Sequence, residues 1–255
     1  MNQTLSLTRD PIPGLIKKIA LPASVGTFFQ TMYNIVDTFY AGKISPEALS
    51  ALAKSFPIYF IIIAACIGVT VGGTSLIANS IGEGSREKVL SYFSHTIIYG
   101  ILISILVTFL GLKFSEDVFL LMGSTNEVVL LGLKYTNVIF SGSIIFILVV
   151  AINALLHAEG DTKTYRNILI LSFFLNIILN PIFIFGFAFI PSMGIAGIGI
   201  ATILSQLIGL LILLFKILKN NRIINFSTKY FYPKINILKN LFFQSAPISA
   251  ALLSF

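Results

Sequence analysis

Successive runs of about twenty mostly apolar residues, parted only by short polar stretches, constrain this chain more than any other feature. They lie near Ile16–Ala41, Phe56–Ser80, Tyr92–Leu112, Tyr135–Leu156, Asn167–Ile190 and Met193–Phe215, and a further run opens near Leu241. About 20 apolar residues in a helix cross the hydrocarbon core of a bilayer. Lipid offers the backbone no hydrogen bonds, so such runs must satisfy their own N–H and C=O groups as helices. The composition agrees: of 255 residues 56% are hydrophobic and only 11% charged, against roughly 25% charged in soluble domains. The expected fold class is therefore an all-α, polytopic membrane protein, a six-transmembrane-helix bundle with a truncated seventh helix. The first run is too long, and its flanks too polar, for a cleaved signal peptide.

Lysine and arginine give the orientation. Arg9, Lys17, Lys18, Arg86, Lys88, Lys163, Arg166, Lys216, Lys219, Arg222, Lys229, Lys234 and Lys239 fall on one side, and only Lys43, Lys54, Lys113 and Lys134 on the other. The positive-inside rule places the crowded side, with the N-terminus, in the cytoplasm. The expected location is the plasma (inner) membrane. Leu15-Ile-Lys-Lys-Ile-Ala-Leu-Pro22-Ala-Ser24 can be laid on Asn240-Leu-Phe-Phe-Gln-Ser-Ala-Pro247-Ile-Ser249, matching Pro and Ser in both copies. Each copy opens an apolar run behind a basic segment, which suggests a repeat with a period of six helices. The expected division is a six-helix N-terminal lobe over 1–215, a basic cytoplasmic linker over 216–240, and the truncated start of a second lobe over 241–255.

Several functions are disfavoured. The formal charge of +7 does not point to nucleic acid, because the basic residues sit between apolar runs rather than on one soluble face. Cys66 alone makes no intrachain disulfide and reads as a small buried hydrophobe. There is no His-Glu-x-x-His pair, no Gly-x-Ser-x-Gly elbow and no cysteine cluster, so the chain does not read as an enzyme, and neither a cofactor nor a structural metal is expected. His157, Glu159 and Asp161 read as a solvated cytoplasmic turn, and His95 as interfacial. The glycines Gly68, Gly72 and Gly73, and Gly194, Gly197, Gly199 and Gly209, read as sites of close helix contact.

The candidate site comes from polar residues inside the spans. Thr27, Gln30, Asn34 and Asp37 recur at spacings of 3, 4 and 3 on one face of the first helix. A carboxylate placed centrally in a span costs about 2.5–3.5 kcal/mol and by default marks a functional site. The rival reading has Asp37 reaching outward to the headgroups. Ser172, Asn176 and Asn180 form a second stripe, spaced by four and followed by Pro181. The fourth run carries Asn137, Ser141 and Asn153, and the sixth Thr202, Ser205 and Gln206. Each residue alone could serve only helix–helix hydrogen bonding; together they point to a wet, polar-lined cavity.

The residues also carry a resemblance. Pro22, with Tyr33-Asn34-Ile-Val-Asp37-Thr-Phe-Tyr-Ala-Gly42, resembles the first helix of the multidrug and toxic compound extrusion (MATE) transporters. Asn79-Ser-Ile-Gly82-Glu-Gly84 and Leu156-His-Ala-Glu-Gly160-Asp161-Thr162-Lys163 are similar to their loops after helices two and four. Asn176-Ile-Ile-Leu-Asn180-Pro181 and Gly194-Ile-Ala-Gly197-Ile-Gly-Ile-Ala-Thr202 resemble helices five and six. The resemblance implies secondary active efflux of amphipathic, often cationic compounds in exchange for H⁺ or Na⁺. It also implies a second lobe, absent here, or a second copy in its place. It assigns Asp37, Asn153, Asn176, Asn180 and Thr202 to an ion-coupling cluster; Gln30 and Asn34 of the first-helix stripe are candidate site residues beside it. Asp37, Asn176, Asn180 and Thr202 offer oxygens to Na⁺ as the rival to a proton. Some members carry a second acid where this chain has Asn180, and often an Arg where it has His157. A flippase for lipid-linked oligosaccharides and an inactive half-transporter are the alternatives.

Overall fold

A computed structural model describes residues 12–219 and 228–254. The chain is almost entirely helical. A turn α1 (Ile12–Leu15) and a π-helical turn (Ile16–Ala20) lead into α2 (Leu21–Ile44). Then come α3 (Pro46–Gly82), α4 (Arg86–Leu121), α5 (Asn126–Ser141), α6 (Ser143–Ala158), α7 (Thr162–Phe185) and α8 (Ile195–Lys219). A 3₁₀ turn (Thr228–Phe231) precedes α9 (Ile235–Leu253). The stretch 216–240 expected as a linker is partly helix, since α8 runs on to Lys219 and α9 starts at Ile235. Arg222, counted with the basic linker, lies outside the described residues, as does Arg9.

By length and apolar composition α3, α4, α7 and α8 can each cross a membrane, and α5 with α6 adds a fifth span bent by 41°. The expected six is reached only by counting α2, whose polar stripe keeps it out of that set. Its 24 residues reach about 36 Å at 1.5 Å per residue, enough for the hydrocarbon core. The outward faces suit lipid: Leu102, Ile105, Leu106 and Phe109 on α4 are each more than half exposed. Lysines near helix ends lie over aromatic rings, Lys43 over Phe39, Lys219 over Phe215 and Lys239 over Phe243. Long basic side chains at a bilayer boundary snorkel in this way.

The fourth run is a broken span, not the single helix expected. The break falls at Gly142, where an added Cβ would come within 2.3 Å of Ile203 on α8. Polar groups freed there are met by α4: the Thr108 hydroxyl donates to Phe140 O at 2.9 Å and lies 2.7 Å from Ser143 Oγ. Broken helices persist at membrane depth only where neighbours supply such partners. The fifth run also stops before its expected end at Ile190. Gly186, at φ 84°, turns the chain out of α7, and Phe187 and Ile190 exchange two backbone hydrogen bonds.

Close approach is built on small residues, although Gly194, expected among them, has nothing within 4 Å of an added Cβ and instead takes φ 54° in the turn before α8. Gly68 and Gly72 receive Ser249 and Ser245 of α9, each hydroxyl only 2.1 Å from where a Cβ would stand. Gly73 meets Thr96 of α4, and Gly209 meets Ile168 of α7. Gly111 and Gly132 open slots for the fully buried rings of Phe140 and Phe119. His95, expected to be interfacial, is enclosed by protein. It is fully buried, with Nδ1 2.7 Å from Ser91 O and Nε2 accepting the Lys234 N–H at 2.9 Å. It thereby ties the segment before α9 to α4.

Candidate functional site

Three helices converge on Asp37. The stripe on α2 turns it inward, and it is 5% exposed. On α7, Asn176 and Asn180 sit one turn apart and so share a face; both are fully buried. Their amides donate to Asp37 Oδ1 at 3.0 and 2.9 Å, and Asn180 also donates to Asn176 Oδ1 at 3.0 Å. From α8, Thr202 donates to Asp37 Oδ2 at 3.1 Å. In all three contacts to Asp37 the carboxylate accepts, the only role open to its ionised form. No cation pairs with Asp37 among the described residues. The Asn180 carbonyl oxygen is buried beside it without a protein partner, although a buried amide oxygen ordinarily has one.

Prolines and tyrosines complete the frame. Pro181 has no N–H to give to the Ile177 carbonyl one turn back; the Tyr40 hydroxyl donates to that oxygen instead, at 3.3 Å, joining α2 to α7. Tyr33, one turn before Asp37 and 3% exposed, donates to Thr202 O at 3.2 Å. Sequence reasoning did not assign either tyrosine, although their spacings of four and three from Asp37 were a usable signal. A cavity of about 180 Å³ opens beside the cluster, lined by Asn34, Asp37, Tyr59, Tyr135, Thr202 and Gln206 among others.

The remaining expected residues separate into three groups. Gln30 and Asn34 line this cavity, but Thr27 is exposed and its hydroxyl donates to Ala23 O of its own helix. Ser172 bridges to Ser205 O on α8 at 3.2 Å, a structural bond. Asn137 and Ser141 line a shallow groove elsewhere. Asn153, expected with Asp37, makes no hydrogen bond to it; its amide lies 3.0 Å from His157 Nε2. The two spans that carry Asn153 and Asp37 point these groups into adjoining spaces. His157 is accordingly no solvated turn residue: it stands in the last turn of α6, edge-on to Tyr165. Cys66 is partly buried rather than fully so.

The MatE family model matches residues 22–182, a span that contains Asp37, Asn176 and Asn180. The chain belongs to the MatE family. It is 32% identical over 216 residues to the probable multidrug resistance protein NorM of Thermotoga maritima, covering 84% of this chain and 47% of that protein. It is 25% identical over 237 residues to the multidrug export protein MepA of Staphylococcus aureus, covering 92% of this chain and 51% of that one. A solved MOP superfamily transporter from Pyrococcus furiosus superposes with a TM-score of 0.87 at 29% identity, over all of this chain and 56% of that one. The chain thus spans about half the length of the relatives it matches. As a MatE-family member it is a multi-pass membrane protein of a transporter family.

Proposed function

We propose that this chain forms the ion-coupling lobe of an efflux antiporter, exporting amphipathic, often cationic compounds in exchange for H⁺ or Na⁺. A second lobe, on a longer polypeptide or in a second copy, would complete the translocation path. On this reading residues 1–215 are the lobe, 216–240 the connection and 241–255 the opening of its counterpart. The N-terminus lies in the cytoplasm and the protein in the plasma (inner) membrane. The excess of Lys and Arg in the segments at one set of helix ends supports that orientation.

The observation that carries the reading is a buried carboxylate held by three neutral donors and no cation. A structural ion pair would supply its own counter-charge; this site leaves one negative charge for a mobile ion. A single formal charge among neutral oxygens suits one proton or one monovalent cation better than a divalent ion, which gathers several carboxylates. The coupling ion matters only by its differing affinity for the two access states. Asp37, Asn176, Asn180 and Thr202 would bind it, while Gln30 and Asn34 face the cargo path.

The test is transport by the full-length protein in proteoliposomes under an imposed H⁺ or Na⁺ gradient. Asp37→Asn keeps the shape and removes the charge, and uphill export should cease under both gradients. Undiminished uphill export by that variant would eliminate Asp37 as the coupling group. Whichever gradient drives the wild type identifies the ion.

A further inference from the structure

A groove of about 490 Å³ lies where the broken span meets α8, lined by Asn137, Val138, Ser141, Gly142, Ile145 and Ile203. Lys134, Asn137 and Ser141 are spaced by three and four, so they form one stripe on α5, and all three are exposed. Tyr135, which lines the Asp37 cavity, lies across the helix from Asn137, so the stripe faces away from that cavity. Among the described residues no hydrogen bond reaches the Asn137 or Ser141 side chain, and no acid pairs with Lys134. The register of α4 against α5 gives their depth. Gly111 receives the Phe140 ring and Gly132 the Phe119 ring, which sets 140 level with 111 and 132 with 119. Lys134 therefore stands level with Asp117, and Asn137 and Val138 with Phe114 and Lys113, where the apolar run of α4 gives way to charge. Ser141 and Ile145 lie deeper, beside the apolar stretch of α4. The stripe thus passes from charged to polar to apolar on entering the membrane, over about 10 Å from Lys134 to Ser141 at 1.5 Å per residue.

We propose that this groove seats one anionic phospholipid of the leaflet at the Lys134 end. Its phosphate lies on the Lys134 ammonium, its ester carbonyls accept from the Asn137 amide and the Ser141 hydroxyl, and one acyl chain runs along Val138, Ile145 and Ile203. A phospholipid presents charge, polar ester and hydrocarbon in the same order, with a headgroup region about 5–8 Å deep on each side of the hydrocarbon. An acyl chain alone would leave the amide and the hydroxyl without partners, which is costly at this depth. The unpaired cation of Lys134 calls for a net negative charge. Glu127 shares the face but stands about 10 Å further out along α5, beyond the place of the phosphate. On the orientation proposed above this is the outer leaflet. The site does not depend on the efflux reading.

Native mass spectrometry of the full-length protein, released from detergent micelles holding equal amounts of phosphatidylglycerol and phosphatidylcholine, reads the site. One lysine near anionic lipid is worth about 1 kcal/mol, so the wild type should retain phosphatidylglycerol about fivefold over phosphatidylcholine in its tightest adduct. Lys134→Gln should bring that ratio to about one, whereas Lys113→Gln, at the same depth on α4, should leave it unchanged. Ser141→Phe, which fills the groove, should remove the tight adduct of both lipids; where that variant fails to fold, Asn137→Val should weaken it severalfold. Equal retention of the two lipids by the wild type, an unchanged ratio in Lys134→Gln, equal losses in the two lysine variants, or a tight adduct kept by Ser141→Phe overturns the site. Glycerol phosphate, which lacks acyl chains, should not displace the lipid at the same concentration. Displacement by it would assign the groove to a soluble phosphate and overturn the lipid.

Discussion

Asp37 and Asp161 are the same functional group in opposite circumstances. Asp161 caps the N-terminal end of α7, accepting the Thr164 N–H at 3.0 Å, and its carboxylate lies 3.6 Å from the Lys216 ammonium of α8. Partial burial pushes its carboxyl up, but the Thr164 hydrogen bonds and the Lys216 charge outweigh that and hold it below the usual carboxylate range. Its anion is fully answered by the fold. The anion of Asp37 is met by neutral dipoles alone, from Asn176, Asn180 and Thr202. A carboxylate whose charge is already matched can only hold two helices together. One that is solvated but not neutralised retains affinity for a cation, and that difference separates a site from a brace.

The comparison can be broken most decisively at Asn176. Asn176→Leu removes one donor to the carboxylate, worth about 1.5–3 kcal/mol for a hydrogen bond to a charged group, deprives Asn180 of its acceptor as well, and presents a hydrocarbon to the charge. Ion-driven transport should fall by 100-fold or more, measured as initial rate in proteoliposomes. Thr202→Val removes a single hydroxyl of the same shape, worth about 1.5–3 kcal/mol for a hydrogen bond to a charged group. Transport should fall about tenfold, with a shifted dependence on coupling-ion concentration. Asp161→Ala should cost about 1 kcal/mol as a lost helix cap, lowering the melting temperature in detergent by a few degrees while the ion dependence of transport stays unchanged. A shifted ion dependence there would erase the distinction between the two acids.

The smallest effect is one of pH. A carboxyl held low when folded stabilises the protein above its unfolded value, about 3.9, and loses that contribution as pH falls through the lower, folded value. The melting difference between wild type and Asp161→Ala should therefore be constant near neutrality and shrink only below about pH 4.

Much of this molecule is legible from periodicity. The spans, the inward face of α2 and the Asn176–Asn180 pair follow from apolar run lengths and from spacings of three and four. Thr202 follows too, once several polar stripes are read as serving one cavity. The irregular features escape such reading. The break at Gly142 is hidden because α5 and α6 are together as apolar as one span, and only the approach of Ile203 and the hydroxyls of α4 show why the helix parts there. The enclosure of His95 also escapes it, because one partner of the buried imidazole, the Lys234 N–H, lies 139 residues away. Asn153 was grouped with Asp37, although its own helix sets it against His157.

By itself, then, the sequence determined that this chain lives in lipid as helices, and which face of each helix is polar. A carboxylate and a run of amides cannot be left in hydrocarbon, so their spacing marks the sides that must turn inward. Only the tertiary structure decided which of those polar faces meet. Rotation of one helix against another is set by contacts between residues far apart in the chain, such as the glycine slots that receive Ser245 and Ser249. That rotation is what gives Asp37 three donors and leaves Asn153 against His157.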